Sequence, residues 1–129
     1  MFRKILITTA AAAAALAAGQ ATAQDASKGQ RVYRACQACH VVDKEQNRVG
    51  PHLVGLIGRE VASVDGYRYS KAMTEWGEGK VWDEATFLEY IEDPRGIVKG
   101  TKMAYNGVKK EQDRADLLAF LKEEGGSGS

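Results

Sequence analysis

The chain has 129 residues, with eighteen Lys and Arg against seventeen Asp and Glu, a formal net charge of +1. That length supports one domain. A charge so near balance excludes a nucleic-acid or anionic-membrane binder that works through bulk charge.

The first stretch stands apart from that domain. Arg3 and Lys4 form a short positive start, residues 5–18 are an uncharged run of fourteen, and Ala21-Thr22-Ala23 offer the small residues that a signal peptidase accepts. The pattern predicts a secretory signal peptide over residues 1–23, cleaved after Ala23. Spanning a bilayer takes roughly 20 apolar residues, so a retained anchor is the weaker reading. Removing the leader leaves sixteen basic against seventeen acidic side chains, a net charge of −1. What remains has few large aliphatic side chains, and so small a domain commonly relies on a metal, a disulfide or another cross-link.

Residues 24–124 read as helices separated by loops, with no convincing alternating strand. The first helix begins near Ser27, where Ser27 and Gln30 have capping-box spacing, and runs towards the cysteines. Residues 41–66 form a long loop punctuated by Gly50-Pro51, Gly55, Gly58 and Gly66. A loop that long inside a small domain is expected to wrap something. A short helix over about residues 69–75 follows. The next begins after Trp82 with Asp83 as N-cap, buries Phe87, Leu88 and Ile91, and ends at Pro94. A second loop spans 95–109. The last helix starts near Lys110, carries Glu111 and Asp113 at its N-terminal end and buries Leu117, Phe120 and Leu121. Gly125 is expected to stop it, leaving residues 125–129 as a disordered tail.

The chemistry concentrates at Cys36-Gln37-Ala38-Cys39-His40, the C-x-x-C-H pattern of c-type haem attachment. Two thiols three residues apart can each add to one vinyl group of a single porphyrin, and His40 then lies beneath the ring, able to ligate iron. A disulfide here would close too short a loop to restrain the unfolded chain much. A thioredoxin-type pair wants a βαβ setting that is absent. A structural zinc would need Cys36, Cys39, His40 and His52 together, with Cys and His adjacent, an arrangement zinc sites rarely use. One covalent haem c is therefore predicted. Candidates for the sixth ligand are Met73, Met103 and His52. Met103 sits in the inter-helix loop Gly100-Thr101-Lys102-Met103, where it can be turned inward. Met73 lies on a helix and reads as core, and His52 reads as a loop histidine. His40 and Met103 are thus the expected axial ligands, a pairing that raises the haem potential and closes the iron to outside ligands.

With these motifs in place, the sequence resembles the class I c-type cytochromes, the family of mitochondrial cytochrome c and its soluble bacterial relatives. The resemblance rests on Gly29 and Tyr33 before the cysteines and on the run from Gly50 to Arg59. It continues through Gly66-Tyr67-Arg68-Tyr69-Ser70, Trp82, the run from Leu88 to Pro94, Gly100-Thr101-Lys102-Met103 and the run from Asp116 to Leu121. It implies an all-α fold, with N- and C-terminal helices crossing and loops wrapping one covalent haem. It further implies that Pro51 accepts a hydrogen bond from His40, that Arg59, Tyr69, Ser70 and Trp82 surround the haem propionates, that Tyr90 sits near the Met103 sulfur, and that Gly29 lets the first helix cross the last at Phe120. Two departures stand out: Lys99 where many members have proline, and a longer stretch from Lys71 to Val81 that carries Trp76.

The resemblance implies a periplasmic one-electron carrier, monomeric and not an enzyme. Its expected donor is a quinol–cytochrome c oxidoreductase type complex, and its expected acceptor a terminal oxidase or photosynthetic reaction centre. The competing readings are a dedicated electron acceptor of a periplasmic dehydrogenase and a haem peroxidase or sensor, which would need an open iron and a distal acid–base group. Residues 95–114 hold six basic side chains (Arg95, Lys99, Lys102, Lys109, Lys110, Arg114) against Glu111 and Asp113, a local net of +4 that predicts a basic docking surface.

Overall fold

The computed structural model describes residues 23–126, so the expected signal peptide up to Thr22 and residues 127–129 of the expected tail lie outside the described residues. Five helices follow one another: α1 (Ala26–Tyr33), α2 (Lys71–Gly77), α3 (Glu84–Glu92), α4 (Pro94–Ile97) and α5 (Glu111–Gly125). Among the described residues there is no strand, and a single isolated antiparallel bridge joins Glu60 to Val81.

α1 begins one residue before the expected position and is capped differently. Asp25, not Ser27, is the N-cap, and its carboxylate accepts from the backbone N–H groups of Ser27 and Lys28. An ionised oxygen is the stronger acceptor at the positive end of a helix. The Ser27 hydroxyl instead donates to Asp25 at 2.6 Å. α2 starts at Lys71 because Ser70 caps it, accepting from Met73 N–H. α3 is capped by Asp83 as expected. Pro94 ends α3 and also opens α4, since a proline at the first helical position loses no bond and Asp93 caps the new turn by accepting from Gly96 N–H. The second loop therefore starts after Ile97. Gly125 is the last helical residue rather than the stop, and Gly126, at φ 72°, turns the chain away.

The main helix pair is α1 against α5. The crossing sits on Gly29, where a Cβ would overlap the Asp116 carbonyl and the Phe120 Cβ. Beside it the rings of Tyr33 and Phe120 stack with centroids 4.9 Å apart. The expected crossing at Phe120 is therefore what the backbone adopts. One partner escapes sequence reasoning. Asp116 lies inside the crossing, 2% exposed, where it accepts from Asp25 N–H and from the Gln112 amide. A carboxylate buried this deeply is tolerable because its oxygen is hydrogen-bonded.

α3 lies across α5, burying Phe87, Tyr90 and Ile91, with the expected Leu88 only partly covered. α5 supplies Leu117 and Leu118, each 1% exposed, and Leu121. Residues 41–66 run over the open side of this helical frame. They are pinned to α5 by Gly55 N–H on the Gly125 carbonyl and closed on themselves by Leu53 N–H on the Val41 carbonyl.

A Gly29→Ala substitution should push α1 off α5 and cost about 3 kcal/mol, the upper end of ordinary overpacking, because the obstacle is backbone. Guanidinium denaturation of the haem-loaded protein measures it.

Candidate functional site

Between the frame and the loops lies a cavity of about 430 Å³ with mainly apolar walls. One end is formed by Cys36, Cys39 and His40, which leave the end of α1 in a tight turn that bonds Cys39 N–H and His40 N–H to the Cys36 carbonyl. Both thiols are free and partly buried, so the pair forms no disulfide. Burial pushes the Cys36 thiol up to about 11, with Cys39 adding a smaller push in the same direction.

His40 is fixed from three sides. The Tyr33 hydroxyl donates to its carbonyl at 3.0 Å. Its Nδ1–H donates to the Pro51 carbonyl at 2.7 Å, which leaves Nε2 as the unprotonated nitrogen. Gly50 lies flat against the imidazole, where any Cβ would strike the ring. Burial holds the imidazole below its ordinary pKa, against the opposing pull of Pro51, so it stays neutral at pH 7. Gly50 had read only as loop punctuation; its adjacency to Pro51 was the available signal.

The same cavity brings Arg59, Tyr69, Ser70, Trp82, Tyr90 and Met103 together in one lining. Arg59 donates from Nη1 to the carbonyls of His52 and Val54, both at 3.0 Å. Its Nε is buried without a partner, and no carboxylate pairs with it among the described residues. Burial pulls this guanidinium down from its ordinary value. The Tyr69 hydroxyl accepts from Val64 N–H at 3.0 Å, and Ser70 Oγ accepts from Met73 N–H at 3.0 Å, so each keeps its own proton to donate. Trp82 exchanges backbone hydrogen bonds with Gly58 and Arg59, tying the cation's loop to the start of α3. Tyr90 is buried, which pushes its phenol up to about 12. Met103 N–H is held by Thr101 Oγ1 at 3.2 Å, and the Lys102 ammonium ties the same loop to the Arg68 carbonyl at 2.7 Å.

Met73 also lines this cavity, although it had read as core. Helix periodicity cannot separate a side chain facing a core from one facing a cavity inside it. His52 does not line the cavity; its Nδ1 accepts from Val54 N–H at 3.2 Å.

These walls fit a haem c. The neutral imidazole with a free Nε2 suits iron, two free thiols suit two vinyl groups, the apolar lining suits the macrocycle, and the orphaned buried Arg59 donor suits a propionate.

Comparison with known proteins supports the same group. A family model described as Cytochrome c matches residues 26–124. Cytochrome c2 of Blastochloris viridis is 43% identical over 84% of this chain and 85% of its own. Cytochrome c-554 of Methylosinus trichosporium is 41% identical over 96% of this chain and 94% of its own. Among solved structures, cytochrome cH from Methylobacterium extorquens superposes with a TM-score of 0.70 at 36% identity, covering 77% of this chain and 98% of that one.

With Cys36 and Cys39 both changed to Ser, no thioether can form. The haem-free chain should then show no cooperative thermal transition by circular dichroism, because the cavity sits where the core of so small a domain would be.

Proposed function

Because the chain belongs to the cytochrome c family, we propose that it is a soluble periplasmic one-electron carrier whose haem is attached through Cys36 and Cys39 and ligated by His40 and Met103. One observation carries the reading: a neutral, Pro51-anchored imidazole and an inward-facing methionine loop share a single cavity with both thiols. When bound, the haem supplies Fe(II)/Fe(III) chemistry.

The residues divide the remaining tasks. Pro51 and Gly50 hold His40 in one tautomer and one orientation. Arg59, Tyr69 and Ser70 offer donors to the propionates, and Trp82 and Tyr90 exclude water from that side. Little then has to rearrange when the charge changes by one, and a rigid, dry wall around the iron favours rapid electron transfer over chemistry on a substrate. The closed pairing of His40 with Met103, and a His52 that stands outside the cavity, favour a carrier over a peroxidase.

A quinol-oxidising complex as donor, and a terminal oxidase or photosynthetic reaction centre as acceptor, fit the family. The basic segment 95–114 would turn the haem edge towards acidic partners. Within it, Lys102 and Lys109 spend their ammonium groups on the Arg68 and Glu92 carbonyls. Lys99 and Lys110 are exposed and make no such bond among the described residues.

Met103→Ala should open the iron to cyanide and carbon monoxide, lower the potential and abolish the far-red methionine-to-iron band of the ferric protein. If the band survives there and vanishes in Met73→Leu instead, Met73 is the ligand.

Steered association predicts that electron transfer to an acidic membrane partner slows steeply as ionic strength rises. Lys110→Glu should cut the second-order rate at low salt several-fold with the optical spectrum unchanged. A rate that is flat with salt would mean that the partner reads an uncharged surface.

A further inference from the structure

The stretch from Lys71 to Val81 builds a second layer behind the cavity wall. The Trp76 ring, half-buried on α2, has its centroid 5.6 Å from both Trp82 and Tyr90. Those two meet edge to face at 4.9 Å and are themselves the buried cavity lining. Three rings in mutual contact fix one another's orientation more tightly than a pair does.

The outer ring is in turn clamped. The Lys80 ammonium lies 5.1 Å from the Trp76 centroid and donates to the Trp76 carbonyl at 2.6 Å, a cation held over the face of an indole. The turn beneath is anchored. Gly77 packs so closely on Val61 that a Cβ there would collide with it, and Val61 N–H bonds the Lys80 carbonyl at 3.0 Å. Inward from the cluster, Tyr90 reaches the Thr101 side chain, and Thr101 Oγ1 receives Met103 N–H. A continuous line of contacts therefore joins Lys80, Trp76, Tyr90, Thr101 and Met103.

We propose that Trp76 is a positioning residue of the redox site: clamped by Lys80, it holds Trp82 and Tyr90 in the cavity wall and, through Tyr90 and Thr101, steadies the Met103 loop. This role rests on reading Met103 as an iron ligand. Loss of the outer ring lets water reach the wall, and a wetter wall stabilises the more highly charged ferric state, so the potential falls.

The test compares haem-loaded Trp76→Ala, Trp76→Phe and Lys80→Ala with wild type by redox titration and by the ferric far-red band. Trp76→Ala should lower the midpoint potential and weaken the band. Trp76→Phe should restore both, and Lys80→Ala should shift both less, in the same direction. A Trp76→Ala protein that loses thermal stability yet keeps wild-type potential and band would overturn the proposal, because the residue would then only pack. Should Trp76→Ala fail to accumulate, Trp76→Leu and Lys80→Ala carry the same comparison. Met103→Ala run alongside separates the two readings. A band that persists there refutes Met103 ligation, while the potentials of the Trp76 variants still decide the role of that ring.

Discussion

The hydrogen bond from His40 Nδ1–H to the Pro51 carbonyl is the junction through which the separate parts of the molecule register on one another. On one side, His40 is tied through Tyr33 to α1, and Tyr33 stacks on Phe120 of α5. On the other, Pro51 opens the loop that runs past Leu53 and Gly55 to Arg59, and Gly55 bonds back to the end of α5. Moving the imidazole therefore means moving the helix crossing or the loop, and neither can yield cheaply with a glycine packed at each contact, Gly29 on Asp116 and Gly50 on the ring. The direction of the free Nε2 is set by the frame as a whole rather than by its own short motif.

Much of this was legible in the residues. Cys36, Cys39 and His40 declared their chemistry through spacing, and the apolar faces of α3 and α5 followed from helical period. Asp83 announced its helix because a carboxylate before a periodic run has a local reason to be there. What stayed hidden depended on contacts across the chain. Asp116 entered the sequence reading only as the start of a run that resembles the family, since nothing local marks a carboxylate whose partner is the backbone of Asp25. The Asp25 cap outcompeted Ser27 by charge, which a spacing rule does not weigh. Met73 faced inward, but only the closed fold distinguishes a cavity wall from a core. Trp76 was visible and could not be placed, because its neighbours Trp82 and Tyr90 lie on and beside another helix.

The division of charge follows the same logic. Local bonds orient several cations of the basic segment: Arg114 donates to the Val108 and Lys109 carbonyls, and Lys102 closes the Met103 loop. These bonds leave each positive charge in place but fix where it sits. Arg95, Lys99, Lys102, Lys109 and Lys110 are all exposed, but Lys99 and Lys110, at the two ends of one loop, are the ones whose ammonium groups no carbonyl holds among the described residues.

The contact between Asp25 and Asp116 spans a sequence separation of 91 residues, and closing a loop that long carries an entropic cost that grows only slowly with length but must be met before the contact returns anything. Cys36 and Cys39 lie early in the chain, whereas α5, whose Leu117 and Leu121 line the same cavity, is the last helix to be made. In the closed fold the Cys36 thiol, pushed up to about 11, is almost wholly protonated near neutral pH and a poor nucleophile. The cavity is thus walled from both ends of the chain, and it is complete only once the last helix has docked on the first.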